Sequence, residues 1–349
     1  MRTTQTINRL TGRPGAVLLS LLAAALLAAC GEEDHSGYLG GPTVVAGVPQ
    51  ARTLSGERLT VDPDALMGAQ DLCYADGGMI LVGLKRSAGE ECFCVVSPQS
   101  GTANRILRSG RGPGERIFAS YAGYRDGLLD VADAAVFKLA TYNVAELVAG
   151  ANGLVREQEI PRFALNPHRV GENLLCHVLI PDNTMRLYDG QGGLLASYDR
   201  MGPMDESFTQ QKQGWLQSSD ALKPDGTRLA MCLFNLDRIN VLDLRGKGSF
   251  SIVTDKAWKG KDDRAEVLRQ IEEHDRRNYY RKAQATDRHI YARYIYPEGH
   301  VEIRVFDWNG KMSARYVFEE PLASFCVTED DSILYGLTEE EEIWQYKLK

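Results

Sequence analysis

The apolar positions of this chain fall in short, nearly continuous runs of about five residues separated by polar turns, a strand pattern rather than a helical one. Ile80–Leu84 (ILVGL), Leu128–Ala132 (LLDVA), Leu174–Val178 (LLCHV), Arg228–Cys232 (RLAMC), His289–Arg293 (HIYAR) and Ile333–Leu337 (ILYGL) recur at intervals of 44 to 61 residues. A turn of Asp, Gly or Asn precedes most of them, as in Asp126-Gly127 and Asp225-Gly226, and supplies the positive φ of a tight hairpin. A further strand follows each run: Cys92–Val96, Lys138–Tyr142, Met185–Asp189, Arg238–Leu242, Glu302–Phe306 and Glu342–Tyr346. Gly-bearing turns then lead to a fourth strand in most repeats, for example Asp189-Gly190-Gln191-Gly192. Four strands in a period of roughly 40–50 residues predict an all-β fold, a six-bladed β-propeller with four-stranded blades over 51–349.

The sixth repeat is incomplete, since only Lys347, Leu348 and Lys349 follow Glu342–Tyr346. The otherwise unassigned segment Ala51–Val61 is expected to supply the missing outermost strand, closing the ring and removing an edge. The longest interval contains the charge-dense stretch Lys256–Lys282. Asp263 and Glu266 have capping-box spacing there, and Val267, Leu268 and Ile271 form a narrow stripe. A helical insertion at about 256–282, with its helix near 263–275, is expected between blades four and five.

Met1–Ala29 holds three arginines, no acid, and the apolar run Ala16–Ala29, too short to span a bilayer but suited to a secretory signal. The run ends in Leu27-Ala28-Ala29-Cys30, similar to a bacterial lipobox, which makes residues 1–29 a lipoprotein signal peptide and Cys30 the lipid attachment site. Residues 30–50 then form a flexible tether, and Gly31-Glu32-Glu33-Asp34 is either a solvated part of it or a surface-export signal. Loss of the three arginines moves the net charge from −7 to −10, which argues against nucleic acid as a partner.

Gly110-Arg111-Gly112-Pro113-Gly114-Glu115, Lys223-Pro224-Asp225-Gly226-Thr227 and Asp307-Trp308-Asn309-Gly310-Lys311 resemble strings of the TolB-like six-bladed propeller lipoproteins. The resemblance spans about 51–349 and implies a bacterial outer-membrane lipoprotein; it implies little about activity. The Gly-Pro-Gly string lacks the following helix of a phosphate loop and reads as a crossover between blades.

Chemistry is sparse. Cys73, Cys92, Cys94, Cys176, Cys232 and Cys326 lie in strand-like runs and read as buried thiols rather than a redox or zinc site. No His-Glu-x-x-His or Gly-x-Ser-x-Gly occurs. Asp62, Asp64, Glu329, Asp330 and Asp331 lack the ordered spacing of a calcium loop and stand where turns favour Asp. The leading expectation is a non-enzymatic binding or scaffold module, anchored to the membrane through Cys30. An envelope protein, peptide or glycan would be held at one mouth of the ring, with no catalytic residues and no cofactor. The alternative is a calcium-dependent, lactonase-like hydrolase, implied by other six-bladed propellers, whose metal candidates are Asp71, Asn166 and Asp220 on innermost strands.

Overall fold

A computed structural model describes residues 43–348 apart from 77, 86–88, 163, 179–183, 200–216, 247, 255–278 and 297. Six antiparallel sheets follow one another along the chain, each laid down from its innermost strand outward. Blade 1 comprises Ala69–Ala75, Ile80–Leu84, Glu91–Val96 and Ala103–Arg108, and blade 2 Ala119–Arg125, Leu128–Asp133, Lys138–Asn143 and Leu154–Glu159. Blade 3 is Ala164–Val170, Asn173–Val178, Thr184–Tyr188 and Leu194–Asp199, and blade 4 is Ser218–Leu222, Arg228–Leu233, Arg238–Asp243 and Phe250–Val253. Blade 5 is Tyr280–Ala285, His289–Ile295, Val301–Asp307 and Met312–Phe318. Blade 6 has Ser324–Val327, Ile333–Leu337 and Ile343–Lys347.

The blades close into a ring because each needs its neighbour to bury its faces. Apolar clusters sit between every consecutive pair. Leu175 and Met185 of blade 3 meet Leu229 and Met231 of blade 4, for instance. At the closure, Leu72, Val82 and Cys94 of blade 1 pack with Cys326, Tyr335 and Leu337 of blade 6. The tight innermost hairpins follow from their turn residues: Asp126 and Gly127 both adopt positive φ, as a type I′ turn requires. All six cysteines of the described residues are buried, and five of them lie in these inter-blade clusters.

The amino-terminal ribbon does more than complete blade 6. Thr43–Val45 adds to the outermost strand of blade 4 in parallel, and Arg52–Leu54 adds likewise to blade 5. Glu57–Arg58 then supplies the missing strand of blade 6, pairing with Gln345 and Trp344, while Leu59 N–H donates to Ile343 C=O at 2.8 Å. The expected strand over Ala51–Val61 is thus divided between two blades, with only its second half on blade 6. Nor does the expected 30–50 tether persist to residue 50, because Thr43–Val45 finds open backbone partners on Ser251–Val253. Gly56 allows the ribbon to pass over Tyr346, whose ring a Cβ at position 56 would strike.

The expected helix near 263–275 lies outside the described residues, as do the signal segment and Cys30. The insertion cannot reach residue 282 as anticipated, for Tyr280–Ala285 is the innermost strand of blade 5. Between blades 1 and 2 the Gly110–Glu115 loop folds around the Glu115 carboxylate, which accepts from Gly112 N–H at 2.7 Å, and no helix follows it. A Cβ at Gly110 would occupy the position of that carboxylate.

Candidate functional site

The innermost strands enclose a channel with a cavity of about 580 Å³, lined from all six blades and opening among the hairpins at Asp126, Glu172, Pro224 and Glu329. Four innermost strands carry bulges: at Ala69/Asp71 and Leu72/Tyr74, Tyr121/Gly123, Leu165/His168 and Tyr280/Lys282. A bulge adds one residue to a strand and turns a side chain out of the alternating pattern. Residues at or beside these bulges, among them Tyr74, Gly123, Asn166, His168 and Lys282, line the cavity.

Three ion pairs order the wall. Lys282 Nζ lies 2.7 and 2.8 Å from the two Asp71 oxygens, and Ser324 Oγ donates to Asp71 Oδ1 at 2.5 Å. Burial alone would depress the Lys282 ammonium, but Asp71 outweighs it and holds the lysine above its ordinary value, charged rather than nucleophilic. Arg169 of blade 3 bridges to Asp130 of blade 2 at 3.1 Å, and Arg156 reaches Glu172 at 3.1 Å. Burial pushes the Cys73 and Cys326 thiols up, so both are protonated at neutral pH.

Two further features give the cavity recognition chemistry. At the hairpin mouth, Tyr74 and Tyr124 lie with ring centroids 4.4 Å apart, and the Tyr74 hydroxyl donates to Glu329 at 2.7 Å. Deeper in, His168 lines the cavity with a buried Nε2 that has no partner among the described residues. Burial drives its imidazole below the ordinary value, so it is neutral at pH 7.

The metal candidates are only partly brought together. Asn166 Nδ2 donates to Asp220 Oδ2 at 3.1 Å, and Ser218 Oγ donates to Asp220 Oδ1 at 2.5 Å. Asp71 is directed instead to Lys282. Among the described residues no group of three or more His, Cys, Asp or Glu is arranged to hold a metal ion. Asp62 caps a short helix, Pro63–Leu66, and Asp331 is engaged by Arg288, Thr286 and Tyr291. Sequence reasoning missed Lys282, which looked like the tail of a charged insertion, and it missed the Tyr74–Tyr124 pair and His168. The bulges that expose these residues leave no periodic trace; the recurring hairpin Asp residues were the available marker for the mouth.

Fold and channel together define a closed six-bladed β-propeller with an internal cavity. No family model and no curated protein matches the chain. Among solved structures, it is similar to one from Bacteroides fragilis NCTC 9343 named a "Putative exported protein", with TM-score 0.56 and 14% identity over 87% of this chain and 98% of that one. That likeness shows the fold. A chain in the Mitotic Checkpoint Complex covers 87% of this chain and 96% of that one at 11% identity, but its TM-score of 0.47 bears on nothing further.

Proposed function

We propose that this protein is an exported, lipid-anchored envelope propeller of the TolB-like kind that binds a ligand in its central channel without converting it. The observation that carries the reading is the cavity itself, about 580 Å³ in volume, with an aromatic pair at its mouth and an unpartnered imidazole nitrogen within. Concave sites with a few convergent polar groups are the usual seats of ligands. Three charged pairs of the wall satisfy one another, and Asp220 and Glu329 accept from the neutral Asn166, Ser218 and Tyr74, so the site offers mainly hydrogen bonds and a stacking surface. An uncharged glycan or the backbone of a peptide suits that environment, presented by the envelope or by an envelope protein. The lipobox at Cys30 supports the anchor, and the exported character named for the similar Bacteroides fragilis protein agrees with it. No helix among the described residues is long and apolar enough to cross a membrane.

The calcium-dependent hydrolase is the weaker reading, because the Lys282 ammonium sits against both Asp71 oxygens where a cation would bind. A photoreactive residue at Tyr124 in intact cells tests the binding reading. It is expected to capture a ligand that the same probe at Glu159, on the ring perimeter, does not. Equal capture from both positions would contradict the channel as the site.

A further inference from the structure

Among the described residues the propeller exposes ten large apolar side chains, and five of them stand at one end of the outer strands of the adjoining blades 2 and 3. Innermost strands run toward the hairpin mouth and outermost strands run away from it, so an outermost strand begins at the hairpin end. Leu154 and Val155 begin the outermost strand of blade 2, and Leu194 and Leu195 begin that of blade 3. The register confirms the level: Leu154 stands opposite Tyr142, and Leu194 opposite Tyr188. Val148 ends the short helix that precedes Leu154 at the same end. These five are between 39% and 55% exposed. Val155 and Leu195 are the extra residues of bulges in their strands, where the alternation of faces breaks, and both members of each pair, Leu154–Val155 and Leu194–Leu195, stay exposed. The other five, Val48, Met67, Phe118, Val136 and Leu165, are spread one or two per blade away from the hairpin end.

An independent observation says what covers this corner. Thr43–Val45 runs parallel to the outermost strand of blade 4, so its first residue, Thr43, is the end nearer the hairpin mouth. Cys30 precedes Thr43 by thirteen residues, a length that spans at most about 45 Å when extended. Thr43 thus stands at the hairpin end of blade 4, the blade next to blade 3. The outermost strands of blades 4 and 5 are covered by the ribbon, whereas among the described residues those of blades 2 and 3 take no fifth strand.

We propose that Val148, Leu154, Val155, Leu194 and Leu195 rest on a lipid bilayer, at the depth of the headgroups. Open strand edges are excluded from hydrocarbon, but at interfacial depth water and headgroups satisfy their amides. The hairpin mouth of the channel then faces the membrane, and the ligand enters from that side. This inference rests on the anchor reading for Cys30.

The test uses the full lipidated chain in phosphatidylcholine vesicles with and without brominated acyl chains. The other thiols of the described residues are buried, so a fluorophore is directed to Leu194→Cys or, at the opposite end of the blade 2 outermost strand, to Glu159→Cys. Brominated lipid is expected to quench most of the emission at position 194 and none at 159, and adding Leu195→Glu and Val155→Glu is expected to abolish the quenching. Equal quenching at both positions, or none at 194, overturns the inference. So does a dimer of the chain that Leu194→Glu dissociates, which would assign the face to a second copy. Intact mass reports acylation of Cys30 beforehand. Its absence defeats the anchor reading and the bilayer contact together, whereas acylated protein without selective quenching defeats the contact alone.

Discussion

Replacing Tyr346 should undo the ring at its seam before it undoes anything else. Tyr346 is buried in the last strand and packs with Leu54 and Phe318, its ring 4.8 Å from that of Phe318. Gly56 of the ribbon lies directly over it. The other polar ties of the ribbon to blade 6 are slight: the pairing of Glu57 and Arg58, one backbone bond from Leu59, a bond from Arg52 to the Leu348 carbonyl at 3.2 Å, and a solvent-facing Arg58–Glu342 pair worth well under about 1 kcal/mol. Truncating a buried aromatic ring to Ala typically costs about 3–5 kcal/mol. Tyr346→Ala is expected to lose that much in denaturant unfolding. Tyr346→Phe should lose nothing, because the buried hydroxyl has no partner among the described residues. Leu175→Ala, at the seam of blades 3 and 4, provides a cavity of comparable cost elsewhere. Amide exchange separates the two: residues 52–59 should exchange selectively faster in Tyr346→Ala and not in Leu175→Ala. Equal protection of that segment in both variants would refute the latch.

Other expected outcomes concern the buried polar groups. Glu302 is fully buried and accepts from Arg304 at 2.7 Å and Arg315 at 2.6 Å; Glu302→Ala leaves Arg304, beneath the Tyr294 ring, with Asp237 at 3.3 Å as its remaining carboxylate, and should cost less than the about 3–5 kcal/mol of an uncompensated buried charge in urea unfolding. Burial would raise the Glu302 carboxyl, but the bonds from Arg315 and Arg304 win and lower it. Its stabilisation is therefore present above the unfolded carboxylate range and lost as pH falls through the folded value; an acid titration of Glu302→Ala should lack that loss. His168 behaves as a penalty. Its depressed pKa means the unfolded chain takes up the proton first, so stability declines as pH drops below about 6.5, and His168→Leu should flatten that decline and gain about 1 kcal/mol at neutral pH. An unchanged slope would count against the orphaned nitrogen. Calcium should leave Tm unaltered; a calcium-dependent rise abolished by Asp71→Ala, together with lactone turnover, would favour the hydrolase.

The strands were legible because a propeller repeats one local instruction, a short apolar run after an Asp- or Gly-bearing hairpin, and both Ile80–Leu84 and Ile333–Leu337 stand where the pattern placed them. The incomplete sixth repeat likewise pointed to closure by the amino terminus. What pattern could not show is contact between distant positions. Thr43–Val45 is a strand only because the edge of blade 4 is open to it, and nothing in its own three residues says so. Asp71 and Lys282 are 211 positions apart, and only ring closure joins them. Asn166 and Asp220 were found on innermost strands by the repeat, yet their partners depend on the bulge at Leu165/His168, where Asn166 takes positive φ. The side chains that equip a channel on such a frame are those that depart from the repeat.

The central claim, that the channel is the ligand site, is tested most directly by filling it. Gly123 lines the cavity, and a Cβ there would meet nothing closer than Asp130 at 3.9 Å, so Gly123→Trp should fold normally while occupying the space. Glycan and peptide fractions of the source envelope should raise the Tm of the wild type and not that of Gly123→Trp. A shift of the same size in both proteins would contradict the account.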